Sequence, residues 1–172
     1  MIEVDISKCT GCRKCESFCS FFRTGRVNSW LSRIKVLNLY ETGIDGPVVC
    51  VQCKERYCDR CPENAITIGT LGQIIVSPTL CNLCGVCVKA CPIGAVEVFD
   101  NFVYVCDLCG GRPKCVESCT EGAIIYKKEK KRQLSLADFK KQAKKMNTSE
   151  KRFNYLKKLG SKLRKIWSEK YA

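Results

Sequence analysis

Apolar residues in this chain come mostly in short runs, not in long helical stripes. Ala65-Ile66-Thr67-Ile68, Ala95-Val96-Glu97-Val98 and Ala123-Ile124-Ile125-Tyr126 read as strands, as do Gln73-Ile74-Ile75-Val76 and Phe102-Val103-Tyr104-Val105. Between the runs lie loops dense in cysteine, so the repeating unit is strand, cysteine loop, short helix, strand. Ala65, Ala95 and Ala123 each stand four residues after the last cysteine of a loop, which shows the repeat independently of the cysteines themselves. Toward the C-terminus the pattern changes. Leu134, Leu136 and Phe139 precede Ala143 and Met146. Phe153, Leu156, Leu159, Leu163, Ile166 and Trp167 then follow at spacings of three, three, four, three and one, which is one face of a helix. Asn147-Thr148-Ser149-Glu150 between them reads as a break and a helix start.

The loops hold 16 cysteines in 172 residues. A disulfide scaffold suits a short secreted chain, but Met-Ile-Glu-Val-Asp-Ile-Ser has no charged region followed by an apolar core, so a reducing, cytoplasmic setting and metal-binding thiolates are expected. Cys9, Cys12, Cys15 and Cys19 form the first group; Cys81, Cys84, Cys87 and Cys91, followed by Pro92, form the third. Both have Cys-x2-Cys-x2-Cys-x3-Cys spacing, the bacterial ferredoxin run, in which three thiolates wrap one [4Fe-4S] cubane and the fourth ligates the other cluster of a pair. Cys50, Cys53, Cys58 and Cys61, then Cys106, Cys109, Cys115 and Cys119, are variants with longer middle loops. Structural zinc usually takes two Cys-x2-Cys knuckles across a long loop and fits this spacing poorly. Four groups predict four [4Fe-4S] clusters. A domain with so many short elements buries little apolar surface, so the clusters should supply much of the folding energy.

These motifs resemble the polyferredoxin family, the four-cluster electron-transfer subunits of molybdenum and tungsten oxidoreductases and of related hydrogenases and dehydrogenases, over residues 1 to 126. The resemblance implies an α+β architecture: a duplicated bacterial ferredoxin-like fold of two pseudo-twofold halves, with a C-terminal helical tail over 127 to 172. Motifs one and four would pair, as would two and three, each exchanging its last cysteine. It thereby implies Cys9, Cys12, Cys15 and Cys119 for one cluster, and Cys19, Cys106, Cys109 and Cys115 for its mate. The inner pair would be Cys50, Cys53, Cys58 with Cys91, and Cys81, Cys84, Cys87 with Cys61. The stretch from Asn28 to Val36, with Ser32-Arg33-Ile34, and Gly46-Pro47-Val48-Val49-Cys50 are similar to the connection between the first two motifs in ferredoxin subunits of tungsten-dependent aldehyde oxidoreductases of the archaeal type. The partners so implied are a larger catalytic subunit carrying tungstopterin or molybdopterin and a soluble ferredoxin as acceptor. A free-standing polyferredoxin, or a subunit of a hydrogenase, formate or CO dehydrogenase complex, is the alternative. The chain departs from the family in having Ser20 and Thr120, not proline, after the outer motifs, and only two residues between Cys58 and Cys61.

Charge divides the chain more sharply than any linker. Residues 1 to 126 carry 13 Lys plus Arg and 13 Asp plus Glu, whereas 127 to 172 carry 17 and 4, so the net +13 lies wholly in the tail. Each thiolate-ligated cluster would add about two negative charges, making the loaded core acidic. The tail, opening on Lys127-Lys128-Glu129-Lys130-Lys131-Arg132, is expected to pack on this core or on a partner subunit. The competing readings are a basic helix on an anionic membrane and nucleic-acid binding, which no recognition fold accompanies. There is no histidine, which removes the commonest general base and the Rieske ligand set. Nothing follows the Gly-x-Gly-x-x-Gly or Walker patterns, and no apolar run reaches the 18 residues of a spanning helix. An electron carrier without catalytic residues of its own is the expectation.

Overall fold

The computed structural model describes residues 1–128 and 134–171. Glu129, Lys130, Lys131 and Arg132 of the basic run lie outside the described residues. Among the described residues, eight strands form four two-stranded antiparallel sheets. β1 (Ile2–Val4) pairs with β8 (Ile124–Tyr126), Ile2 opposite Tyr126, so the two ends of the cysteine-bearing region close on each other. β2 (Ile34–Leu39) and β3 (Ile44–Val49) form the longest hairpin. β4 (Ile66–Ile68) pairs with β5 (Ile74–Val76), and β6 (Glu97–Phe99) with β7 (Phe102–Tyr104). Helices α1 (Lys14–Thr24), α2 (Val86–Ala90) and α3 (Lys114–Glu117) begin inside the first, third and fourth cysteine motifs. The second motif has only a 3-10 turn over Tyr57–Asp59, as its shorter spacing to Cys61 dictates.

The strand expected from Ala95 starts at Glu97 instead. Ala95 and Val96 are buried in the core, and the Ala95 N–H donates to Cys91 Sγ at 3.3 Å, so these two residues serve the cysteine loop before the strand begins. The β2–β3 hairpin, though local, was not identified from the sequence, and β1 was not legible as a strand. A three-residue strand whose partner lies over 120 residues away leaves no local pattern.

The tail folds as α4 (Ala137–Gln142) and α5 (Thr148–Tyr171). The expected helix start is a capping box: Asn147 Oδ1 accepts the Glu150 N–H at 2.9 Å, and Glu150 Oε2 accepts the Asn147 N–H at 2.7 Å. Leu136 and Leu156 enter the same core as Ile2, Ile34, Ile74 and Leu108. The helix sits so close to β3 that a Cβ on Gly46 would lie 2.5 Å from Leu156 Cδ1. The apolar stripe of α5 is only partly the buried face. Phe153 and Ile166 stay 40% and 58% exposed, while Lys151, Arg152 and Tyr155 are buried. Polar acceptors on the core rotate the helix away from its purely hydrophobic orientation. Leu156 is fully buried, so Leu156→Ala should lower unfolding stability by about 2–5 kcal/mol. Thermal denaturation of the iron-loaded protein measures it.

Candidate metal centre

The four cysteine motifs share a backbone signature. The residue two after the first cysteine is left-handed in each: Gly11 (φ 68°), Gln52 (φ 45°), Leu83 (φ 61°) and Leu108 (φ 60°). Three of the four are not glycine, and a positive φ costs such residues energy that something in the loop must offset. Part of the compensation is visible. The N–H groups of Gly11, Gln52 and Leu108 donate to the thiols of Cys9, Cys50 and Cys106, partly opposing the rise that burial imposes on each. Cys19 Sγ likewise accepts the Arg33 N–H at 3.3 Å. Three residues after the last cysteine of the second, third and fourth motifs, Asn64, Gly94 and Gly122 repeat the left-handed turn. At Gly94 there is a second reason for glycine, since a Cβ there would collide with the Thr148 carbonyl oxygen of the tail.

All 16 thiols are free. Cys9, Cys12, Cys15 and Cys119 surround a space of about 360 Å³ including its mouth, walled by Val36, Pro47 and Ile124. Cys50, Cys53, Cys58 and Cys91 surround another of about 300 Å³, closed by Ile93, Val96 and Leu136. A third gathering is electrostatic: Cys115 and Cys106 are raised by burial first and then by their neighbours, Cys19 and Cys109 among them in both cases. In the fourth, Cys81 and Cys84 act on Cys87. Asn82 Nδ2 donates to Glu63 Oε1 at 3.0 Å, which ties the loop of Cys81 to the one that follows Cys61.

Among the described residues no three Cys, Asp or Glu side chains converge tightly enough to hold one metal ion. A zinc ion needs thiolate sulfurs about 2.3 Å from itself. Two sets of four thiols instead ring wider, mainly apolar spaces, and backbone N–H groups donate to the sulfurs of Cys19 and Cys91. That donor set fits iron–sulfur groups and disfavours single-ion zinc.

Burial dominates the acid–base chemistry. It pushes the Cys15, Cys58 and Cys106 thiols up to about 12, with neighbouring acidic groups adding to the rise. Without metal these sulfurs keep their protons at neutral pH, and loading must expel them. Glu16 sits beside Cys15 and is itself buried. Its carboxylate accepts the Val36 N–H at 2.6 Å, with Arg13 3.8 Å away. Removing it by Glu16→Ala strands that N–H, and should cost about 1–3 kcal/mol in thermal or chemical denaturation.

The profile of the 4Fe-4S binding domain matches residues 74–97, the third motif with its flanking strands. The polyferredoxin-like subunit of an aliphatic sulfonate oxidoreductase of Pyrococcus furiosus is 43% identical over 118 residues, covering 66% of this chain and 68% of that protein. The electron transport protein HydN of Escherichia coli is 32% identical over 152 residues, covering 72% of this chain and 85% of its own. The chain belongs to the polyferredoxin-like family of 4Fe-4S electron-transfer proteins. An uncharacterized ferredoxin of Methanocaldococcus jannaschii is similar as well, at 32% over 135 residues and 80% of its length. This polyferredoxin-like chain is therefore an iron–sulfur electron-transfer protein of mixed helix and strand content with a C-terminal helix. No described helix is long and apolar enough to cross a membrane.

Sequence reasoning missed Glu16 and the buried tail cations. Neither carries a motif, and only their positions in the folded chain mark them.

Proposed function

We propose that the chain carries four [4Fe-4S] clusters in two ferredoxin-like halves over residues 1 to 126, and works as the electron-transfer subunit of a larger oxidoreductase. The ligand sets are those the resemblance implies: Cys9, Cys12, Cys15 and Cys119; Cys19, Cys106, Cys109 and Cys115; Cys50, Cys53, Cys58 and Cys91; and Cys61, Cys81, Cys84 and Cys87. The observation that carries the reading is the order of the thiol groups. Cys15 lies near enough to Cys115 to act on its charge, as does Cys106 on Cys50 and Cys87 on Cys58, so each proposed group has a thiol beside the next. Cys12 and Cys84, the two exposed thiols, belong to the first and last groups, while Cys50, Cys58, Cys106 and Cys115 in the middle are buried. Each cluster supplies one one-electron site when bound, so such a row is a relay with an entry at one end and an exit at the other.

The partner reading is supported by exposed aromatic residues. Phe18, Phe21 and Phe22 are 53%, 58% and 49% exposed on α1, the helix that carries Cys15 and Cys19. An apolar patch of this kind marks a docking surface. The resemblance suggests tungstopterin or molybdopterin in the partner, an aldehyde as substrate and a soluble ferredoxin as acceptor; the name of the Pyrococcus relative suggests an aliphatic sulfonate as substrate. Anaerobic co-purification from the native source, with iron, sulfide, tungsten and molybdenum quantified, tests the cluster content and the metal-bearing partner. About 16 iron per chain is expected, together with a large tungsten- or molybdenum-bearing subunit. Phe21→Asp should release that subunit without changing the iron content. A wild-type chain that purifies alone with full iron is a free-standing carrier instead.

A further inference from the structure

Three cations of the tail close on the short segment that carries Cys87 and Cys91. Lys151 Nζ donates to the carbonyls of Val88 and Lys89 at 3.1 and 3.0 Å. Lys140 Nζ donates to the Ala90 carbonyl at 2.9 Å, and Arg152 Nε to the Gly94 carbonyl at 2.8 Å. Arg152 has a counter-ion, since Glu97 lies 3.0 Å from its guanidinium and also 3.4 Å from Lys35.

Lys151 differs from its neighbours. It is only 3% exposed, and among the described residues no carboxylate pairs with it. Burial works against its charge most strongly, Cys91 favours it and Lys140 opposes it. Carbonyl oxygens satisfy an ammonium's hydrogen bonds but do not neutralise it, and a bare buried charge is among the costliest features a fold can contain. Cys91, which favours the Lys151 charge, ends the segment that Lys151 grips, and its thiolate together with an iron–sulfur group bound there would supply the missing negative charge.

We infer that Lys151 is the built-in counter-ion of the cluster held by Cys91 with Cys50, Cys53 and Cys58, and that its charge raises that cluster's reduction potential. Reduction adds one negative charge, so a nearby fixed cation in a low-dielectric setting favours the reduced form. Lys140, partly exposed and 5.2 Å from the Tyr57 ring, adds to the effect in the same direction with more screening from solvent. The tail thereby sets the driving force across the middle of the row as well as covering it. Lys151 acts on the cluster through its charge and is a positioning residue, not a ligand. The inference rests on the assignment of Cys91 to a cluster.

The test is an anaerobic redox titration of the full-length holoprotein followed by electron paramagnetic resonance, comparing wild type, Lys151→Met and Lys151→Arg at equal iron content. One cluster signal should move to lower potential in Lys151→Met and return toward wild type in Lys151→Arg, with the other signals unmoved. Unchanged potentials in a fully loaded Lys151→Met overturn the inference. Should that variant lose iron, Lys151→Gln, which keeps a donor for the Val88 and Lys89 carbonyls without the charge, decides: a shift to lower potential supports the inference, and no shift overturns it. A wild-type chain that binds no iron through Cys91 would instead sink the ligand assignment before any potential is read.

Discussion

Stripping iron from the protein is expected to unfold it, not to leave a folded apoprotein. Six of the eight strands are three residues long and each pairs with a single neighbour; isolated two-stranded sheets of that size are marginal in water. Much of the buried core between them consists of the cysteines themselves. Structural metal sites in small domains contribute on the order of 10 kcal/mol each to folding, which is comparable with the whole 5–15 kcal/mol margin of a typical domain. Far-ultraviolet circular dichroism during anaerobic chelation should therefore show the cooperative thermal transition disappear as iron is lost. An apoprotein that melts cooperatively within a few degrees of the holoprotein would show that the polypeptide core suffices.

The pH dependence has a definite sign. Cys15, Cys58 and Cys106 titrate near 12 in the fold against an ordinary 9.0. Whatever folded apoprotein exists is therefore most stable below pH 9 and loses that contribution as pH rises toward 12, because the unfolded chain gives up these protons first. Iron loading runs the other way, since it needs thiolates. Anaerobic reconstitution should be more complete at pH 8.5 than at pH 7, and the loaded protein should lack the alkaline destabilisation, because its ligand thiols are already deprotonated.

Truncation after Lys128 is expected to have the second largest effect. It removes Leu136, Tyr155 and Leu156 from the core, and Leu136 also closes the space ringed by Cys50, Cys53, Cys58 and Cys91. Losing one fully buried leucine typically costs about 2–5 kcal/mol, so two leucines and a tyrosine approach the stability margin of an ordinary domain. The Arg152–Glu97 pair is lost as well, leaving Glu97 with Lys35 alone among its present partners. The truncated chain should hold less iron than the full-length protein, lose first the iron proposed to lie between Cys50, Cys53, Cys58 and Cys91, and bleach faster in air. Retention of full iron with an unchanged melting temperature would mean the tail is dispensable to the core. Because the tail is built into this core, deleting it cannot separate a subunit from a free carrier. Point changes at exposed positions such as Phe21 can.

The sequence was informative where the chemistry is local. Cysteine spacing specified thiolate metal ligation, the alanines at a fixed distance after each last cysteine gave the repeat, and Asn147 with Glu150 announced the start of α5. Those signals act over a few residues, and short-range geometry is what a linear pattern can carry. The β1–β8 pairing, the closeness of Cys15 to Cys115, of Cys106 to Cys50 and of Cys87 to Cys58, and the burial of Lys151 and Arg152 against the segment of Cys87 and Cys91 were decided only in three dimensions. For α5 the hydrophobic pattern alone chose a face that includes Phe153 and Ile166. The folded chain buries Leu156 of that face but turns Lys151 and Arg152 inward and leaves Phe153 and Ile166 exposed, because carbonyl oxygens and Glu97 on the core reward two buried cations that hydrophobicity would have kept in water. Sequence thus determined which atoms can bind iron; tertiary structure decided which of them face one another and what charge stands beside them.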